Sequence, residues 1–262
     1  GDRAKMLGMH KVLVVTGGHI GKIENGPVDQ TVDSLKKAGV DYVIFDGAEE
    51  NPKIRDIKKG KQIYLDEGCD SIITVGGGSA HDCGKGIGII LTNGDDITKL
   101  AGIETLDKPL PPLMAVNTTA GTGSELTRHA VITNEETHLK FVVVSWRNIP
   151  LVSFNDPMLM LDIPQATTAA TGLDAYVQAV EPFVSVDHND ITDSQCEKAI
   201  QIIQQYLPEA VANGHNVEAR TKMVEGEMLA GMAFNNANLG YVHAMAHQLG
   251  GQYDAPHGVC CA

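Results

Sequence analysis

Short apolar runs alternate with amphipathic stretches through the first half of the chain. Lys11–Thr16 (Lys-Val-Leu-Val-Val-Thr) reads as a buried strand ending in glycines, and Asp41–Phe45 as a second strand. Between them, Pro27–Ala38 repeats its apolar positions at the helical period. Ile54–Glu67 continues the alternation as a helix, with Ile57, Ile63 and Leu65 among its apolar positions. Ser71–Val75 (Ser-Ile-Ile-Thr-Val) is a third strand that runs straight into Gly76-Gly77-Gly78-Ser79. Ala80–Leu91 then reads as helix and Leu113–Asn117 as a fourth strand. This order predicts a parallel sheet covered by helices on both faces.

The pattern changes after Asn117. Arg128–Thr133 and Leu139–Ser145 are strand-like runs joined by the polar stretch Asn134–His138, which predicts an antiparallel hairpin added to the sheet. From Pro164 onwards the signals are almost all helical. The expected architecture is therefore an α/β domain over residues 1–162 followed by an all-α domain over 163–262. The chain stops at Val259-Cys260-Cys261-Ala262, without a closing helix, so the second domain is expected to be truncated at its C-terminus.

Charge narrows the choice of partner. The net charge of −13 offers nothing to attract phosphate backbones or anionic lipid, which sets nucleic acid and membrane surfaces aside. No apolar run is long enough to cross a bilayer, and the first residues lack the apolar stretch of a signal peptide. The cysteines (Cys69, Cys83, Cys196, Cys260 and Cys261) are odd in number and show no Cys-x-x-Cys pairing, which suits a reducing cytoplasm. Cys260 and Cys261 are adjacent, and adjacent side chains rarely converge on one ion, so they are not expected to chelate together.

Two features carry chemistry. His243 and His247 lie four apart, on one face of the expected helix, and His257 follows a loop marked by Gly250, Gly251 and Pro256 that can fold it back. Clustered imidazoles suggest a transition-metal site. Gly76-Gly77-Gly78-Ser79 joins a strand to a helix, where bare backbone N–H groups and the helix N-terminus suit phosphate oxygens; Ser79 could cap the helix or donate to phosphate. A second such loop, Asn117-Thr118-Thr119-Ala120-Gly121-Thr122-Gly123-Ser124-Glu125, also follows a strand. Neither is a P-loop, because no Gly-Lys-Ser/Thr follows the glycines.

Gly-Gly-Gly-Ser-Ala-His-Asp-Cys-Gly-Lys-Gly, Asn-Thr-Thr-Ala-Gly-Thr-Gly-Ser-Glu-Leu-Thr, Ala-Ala-Thr-Gly-Leu-Asp-Ala, Ala-Gly-Met-Ala-Phe-Asn-Asn-Ala and His-Ala-Met-Ala-His-Gln-Leu-Gly-Gly together resemble the iron-containing (group III) alcohol dehydrogenases. The resemblance covers essentially the whole chain. It implies reversible hydride transfer between a small primary alcohol or aldehyde and NAD or NADP, a resident Fe²⁺ or Zn²⁺, and a cytoplasmic homo-oligomer. It also implies roles for individual residues. Asp174, His243 and His257 match metal ligands, and the fourth ligand position, a histidine in the family, is Gln178 here. His247 matches a residue that orients substrate or relays a proton, with an ordinary hydrogen-bonded helix histidine as the alternative.

By the same matching, Gly77, Gly78, Ser79, Thr118, Thr119, Thr122 and Lys140 hold the dinucleotide and Asn51 contacts its adenosine side; Lys140 could equally be a solvated hairpin lysine. His129 and Phe234 match the substrate pocket, Phe234 with helical core as its alternative. Two departures stand out. The neutral Gln178 is a poorer partner for Fe²⁺ or Zn²⁺ than imidazole, which predicts weakened metal affinity. Gly17, matched to the cofactor site, stands where NAD-restricted members carry an aspartate, so NADP should be tolerated or even preferred, with Lys22 or Lys36 near its phosphate. Glycerol dehydrogenase, dehydroquinate synthase and a non-catalytic nucleotide-binding remnant are the rival readings.

Overall fold

The computed structural model describes residues 1–262. It contains two compact units, one formed by Gly1–Asn117 with Arg128–Phe154, the other by Thr118–Thr127 with Asn155–Ala262. A linear division at residue 162 does not anticipate that Thr118–Thr127 clusters with the second unit.

After a short helix α1 (Asp2–Met6), the first unit alternates β1 (Lys11–Val15), α2 (Pro27–Ala38), β2 (Asp41–Phe45), α3 (Ile54–Asp66), β3 (Ser71–Gly76) and α4 (Gly78–Thr92). There follow β4 (Gly102–Ile103), β5 (Leu113–Asn117), β6 (His129–Asn134), β7 (Leu139–Val144) and β8 (Val152–Phe154). Five strands form a parallel sheet in the order β2-β1-β3-β5-β8. All six residues of β3, in the middle of that order, are buried, as a parallel strand covered on both faces requires. Leu13, Val15, Ile57, Ile72, Ile87 and Ile89 belong to the core beneath it. The β6–β7 hairpin is antiparallel, with His129 opposite Val144. It does not extend the five-stranded sheet, however: β4 pairs with β7, and these three strands form a sheet of their own.

The second unit is helical: α5 (Gln165–Phe183), α6 (Asp190–Ala212), α7 (Val217–Ala237), α8 (Tyr241–Tyr253) and α9 (His257–Cys261). Small residues let α5, α6 and α7 approach closely; Ala175, Ala179, Ala199, Ala219 and Ala230 are fully buried in their shared core with Ile203, Met223 and Val224. Asn189 caps α6 by accepting from the Ile191 and Thr192 amides. Arg220, 2% exposed, ties α7 to the entry of α5 by donating to the Gly214 carbonyl (2.8 Å), Thr168 Oγ1 (2.9 Å) and the Ile163 carbonyl (3.2 Å). No helix is long and apolar enough to cross a membrane.

Candidate metal and dinucleotide sites

Three helices of the second unit bring one cluster together. Helix α5 carries Asp174, Gln178 and Glu181 at spacings of four and three, so their side chains share a face. Helix α8 supplies His243 and His247. The chain then turns through Asp254 in the left-handed region (φ +52°) and Pro256 to start α9, which supplies His257 and Cys261 one turn apart. Helix α9 rests on α5 through Gly258, where any Cβ would overlap the Ala170 backbone carbonyl. Only glycine permits that approach, and in the same helix His257 lies 3.4 Å from Asp174 Oδ1.

Donor atoms of Asp174, His243, His257 and Cys261 all lie within 4.8 Å of one another. Asp174 Oδ1 is 3.4 Å from His243 Nε2 and 3.4 Å from His257 Nε2. An ion about 2.0–2.1 Å from oxygen and nitrogen donors sets tetrahedral neighbours about 3.4 Å apart. Asp174 Oδ1 and His243 Nε2 are buried without a hydrogen-bond partner, which a cation held among them would correct. The residues therefore fit a divalent metal.

Electrostatics agree. Burial pulls the His243 imidazolium down, but the Asp174, Cys261 and Glu181 side chains outweigh it and push its pKa up to about 11. Burial pushes the Asp174 carboxyl up, and the His257 and His243 rings bring it below its ordinary value. The cluster favours positive charge. His243 Nδ1 meets Glu181 Oε2 at 2.5 Å, while Glu181 Oε1 accepts from the Val242 amide at 2.7 Å. One carboxylate thus caps α8 and fixes which nitrogen of His243 faces Asp174. Substituting Glu181→Gln keeps the cap and removes the charge; divalent-metal affinity should fall about 10- to 100-fold, as outer-shell changes typically cause. A chelator competition measures it, and an unchanged constant would remove Glu181 from this role.

His247 lies beside the cluster, its ring centroid 6.0 Å from that of His243 and 5.3 Å from that of His257, but outside the donor group. Gln178 is 2% exposed and donates Nε2 to Asp174 Oδ2 at 3.0 Å.

In the first unit, Gly77 is the N-cap of α4 and Gly78 its first residue. Ser79 is therefore inside the helix and does not cap it. Lys140 Nζ donates to Asn51 Oδ1 at 2.6 Å, so the lysine is positioned rather than freely solvated. A Cβ at Gly17 would overlap the Ala48 carbonyl oxygen, so glycine here is a packing requirement as well as the loss of an acidic side chain. His129 opens β6, and its carbonyl accepts from the buried Lys85 ammonium at 2.7 Å. Lys36 lies with Lys11 and Asp41, the first residues of β1 and β2, at the strand ends remote from the glycine turns, which removes it as a phosphate ligand.

In the second unit, Thr118 is fully buried and Thr122 Oγ1 accepts from the Ser124 amide at 3.3 Å. Thr119 lies between them in the loop from Thr118 to Thr127. Phe234 is 3% exposed beside Gly123, a core position. Sequence reasoning missed the carboxyl pair next to it. Glu125 and Glu227 are 1% and 0% exposed, and Glu227 Oε1 accepts from the Gly123 amide at 2.8 Å. Burial and the Glu125 charge hold the Glu227 carboxyl well above its ordinary value. The two come from elements about a hundred residues apart, so no local pattern announces them.

Comparison with known proteins places this geometry. The pattern of iron-containing alcohol dehydrogenase matches residues 1–157, and that of the Fe-containing alcohol dehydrogenase family, C-terminal, matches residues 168–262. The 1,3-propanediol dehydrogenase of Citrobacter freundii is 57% identical over 262 residues, covering 100% of this chain and 68% of that protein. Lactaldehyde reductase of Escherichia coli is 40% identical over 263 residues, with the same coverage of 100% and 68%. The solved structure of an alcohol dehydrogenase from Oenococcus oeni superposes with a TM-score of 0.96 at 78% identity, covering 99% of this chain and 68% of that one.

Proposed function

Since this chain belongs to the iron-containing alcohol dehydrogenase family, we propose that it moves a hydride between a short primary alcohol or diol and NAD(H), using a divalent metal held by Asp174, His243 and His257. That it is an oxidoreductase of alcohols and aldehydes follows from the family. The choice of a short diol is supported by the 57% identity to a 1,3-propanediol dehydrogenase. The observation that carries the reading is the buried donor cluster, with Asp174 Oδ1 and His243 Nε2 left for a cation.

Bound there, the metal supplies Lewis acidity at the alcohol oxygen. The protein's own contributions are separable. Glu181 holds His243 in one orientation, and Gln178 holds the outer oxygen of Asp174. His247, half-buried beside His243 and His257, is assigned the handling of the alcohol proton. The turn Gly77-Gly78-Ser79 at the start of α4 is assigned to the dinucleotide phosphates, and the hydrogen-bonded pair Asn51 and Lys140 to the rest of the dinucleotide, Asn51 on its adenosine side. Assembly as a homo-oligomer belongs to the same reading, and the five unpaired cysteines support a reducing cytoplasm.

Cofactor preference follows from the surroundings of Gly18, the residue after Gly17. Asp46, Glu49, Glu50 and Asp56 line the depression there against Arg55 and Lys59, and Arg55 is already paired with Glu49 at 2.6 Å. The loss of an aspartate at position 17 tolerates a 2′-phosphate, but four carboxylates against two cations repel one. With metal-loaded protein and a C3 aldehyde, kcat/KM for NADH should exceed that for NADPH by about tenfold or more, worth about 1.4 kcal/mol. A preference for NADPH would overturn the cofactor assignment. Cofactor binding without turnover in the metal-loaded protein would replace the enzyme by a nucleotide-binding remnant.

A further inference from the structure

We propose that Cys261, not Gln178, is the fourth protein ligand of the metal, as a thiolate, and that the resulting donor set holds Zn²⁺ in preference to Fe²⁺. The inference rests on the function reading above only for the presence of a divalent metal. Cys261 is 5% exposed and lies one helical turn after His257, with Sγ 3.7 Å from His257 Nε2. For a zinc–sulfur distance of about 2.3 Å and a zinc–nitrogen distance of about 2.0–2.1 Å, a tetrahedral edge is about 3.6 Å. The sulfur therefore stands at a ligand's distance from its neighbour. Cys260, partly exposed, does not belong to the donor group, so the adjacent cysteines act singly.

Gln178 has a different task. Its Nε2 donates to Asp174 Oδ2, the oxygen that does not face the two imidazoles at 3.4 Å. Its Oε1 is buried without a hydrogen-bond partner, but that oxygen is neutral and weakly donating, a poorer ligand than a thiolate for the same place. Where a histidine is replaced by a neutral amide, a thiolate restores a strong donor from another helix.

The substitution changes the chemistry. Binding converts the thiol to a thiolate, whose proton leaves to solvent, while the sulfur electron pair forms the bond to the metal. Asp174 and Cys261 then neutralise both charges of the ion, where one aspartate and three neutral imidazoles would leave one charge in excess. Thiolate donors are soft, and Zn²⁺ also stands above Fe²⁺ in intrinsic affinity, so both factors select zinc.

Zinc-loaded protein examined by X-ray absorption should show one sulfur scatterer at about 2.3 Å. The Co²⁺-substituted protein should show a sulfur-to-cobalt charge-transfer band. Both signals should vanish in Cys261→Ser and persist in Cys260→Ser. Zinc affinity of Cys261→Ser should fall by more than about a hundredfold, beyond the usual effect of an outer-shell change. Circular dichroism of the metal-free variants checks that they remain folded, and spectra recorded with the site saturated by metal separate loss of the sulfur ligand from loss of the ion. A wild-type shell of nitrogen and oxygen alone, or wild-type zinc affinity in Cys261→Ser, overturns the proposal. Sulfur ligation without alcohol turnover upholds it while sinking the function reading; nitrogen and oxygen ligation with turnover does the reverse.

Discussion

Alanine in place of Asp174 should leave the protein without tightly bound metal and lower kcat/KM for alcohol oxidation by about a thousandfold or more. Lewis-acid stabilisation is worth several kcal/mol, and about 4 kcal/mol corresponds to three decades of rate. Asp174 is 1% exposed and its Oδ1 lies 3.4 Å from a nitrogen of both His243 and His257, so no neighbouring carboxylate can take its place without moving a helix. Glu181, the next acidic group on α5, is committed to His243 Nδ1 and the Val242 amide. Asp174→Asn preserves shape and separates loss of charge from loss of fold. Metal analysis and steady-state kinetics on both variants give the answer, and activity within tenfold of wild type with metal retained would remove Asp174 from the site.

The second large effect concerns stability. His81 is 1% exposed in α4, and its Nδ1 lies 2.7 Å from Thr74 Oγ1 on β3. Burial, reinforced by the Lys85 charge, lowers its pKa to about 3. In the unfolded chain the ring titrates near its ordinary value of 6.5. Below that pH the unfolded state takes up a proton that the folded state refuses until about pH 3. The contribution is therefore complete above pH 6.5 and declines as the pH falls through that window, by up to about 1.4 kcal/mol per pH unit. It amounts to about 2 kcal/mol by pH 5 and about 5 kcal/mol over the whole window. Urea unfolding of wild type and His81→Gln across pH 7.5 to 5 isolates this term as the difference between their profiles, since the carboxylates are common to both. The stability of wild type should fall more steeply; parallel profiles would mean that His81 is not held neutral.

What the sequence made legible follows from how local each signal is. β1, β2, β3 and β5 were recognisable because apolar runs bounded by glycine or polar turns occur within five or six residues. β8 escaped because Val152-Ser153-Phe154 is too short to show a period, and its partner β5 lies some forty residues earlier. The hairpin was legible as a hairpin, but its membership of a separate sheet depends on the two-residue β4, which carries no pattern. At the site, family likeness points to Asp174, His243 and His257, and the structure brings them together. Cys261 is hidden in the sequence by its neighbour Cys260, because adjacent side chains rarely converge on one ion. The relevant spacing was the four residues from His257, which matters only once α9 is known to be helical. Glu181 gave no sign of its role, which depends on the start of α8 arriving beside it.

Helix α9 rests on α5 where Gly258 meets the Ala170 carbonyl, and it carries His257 and Cys261 to Asp174. An ion captured among these donors would tether α9 to α5 and α8, so amide hydrogen exchange over His257–Cys261 should slow when metal is added.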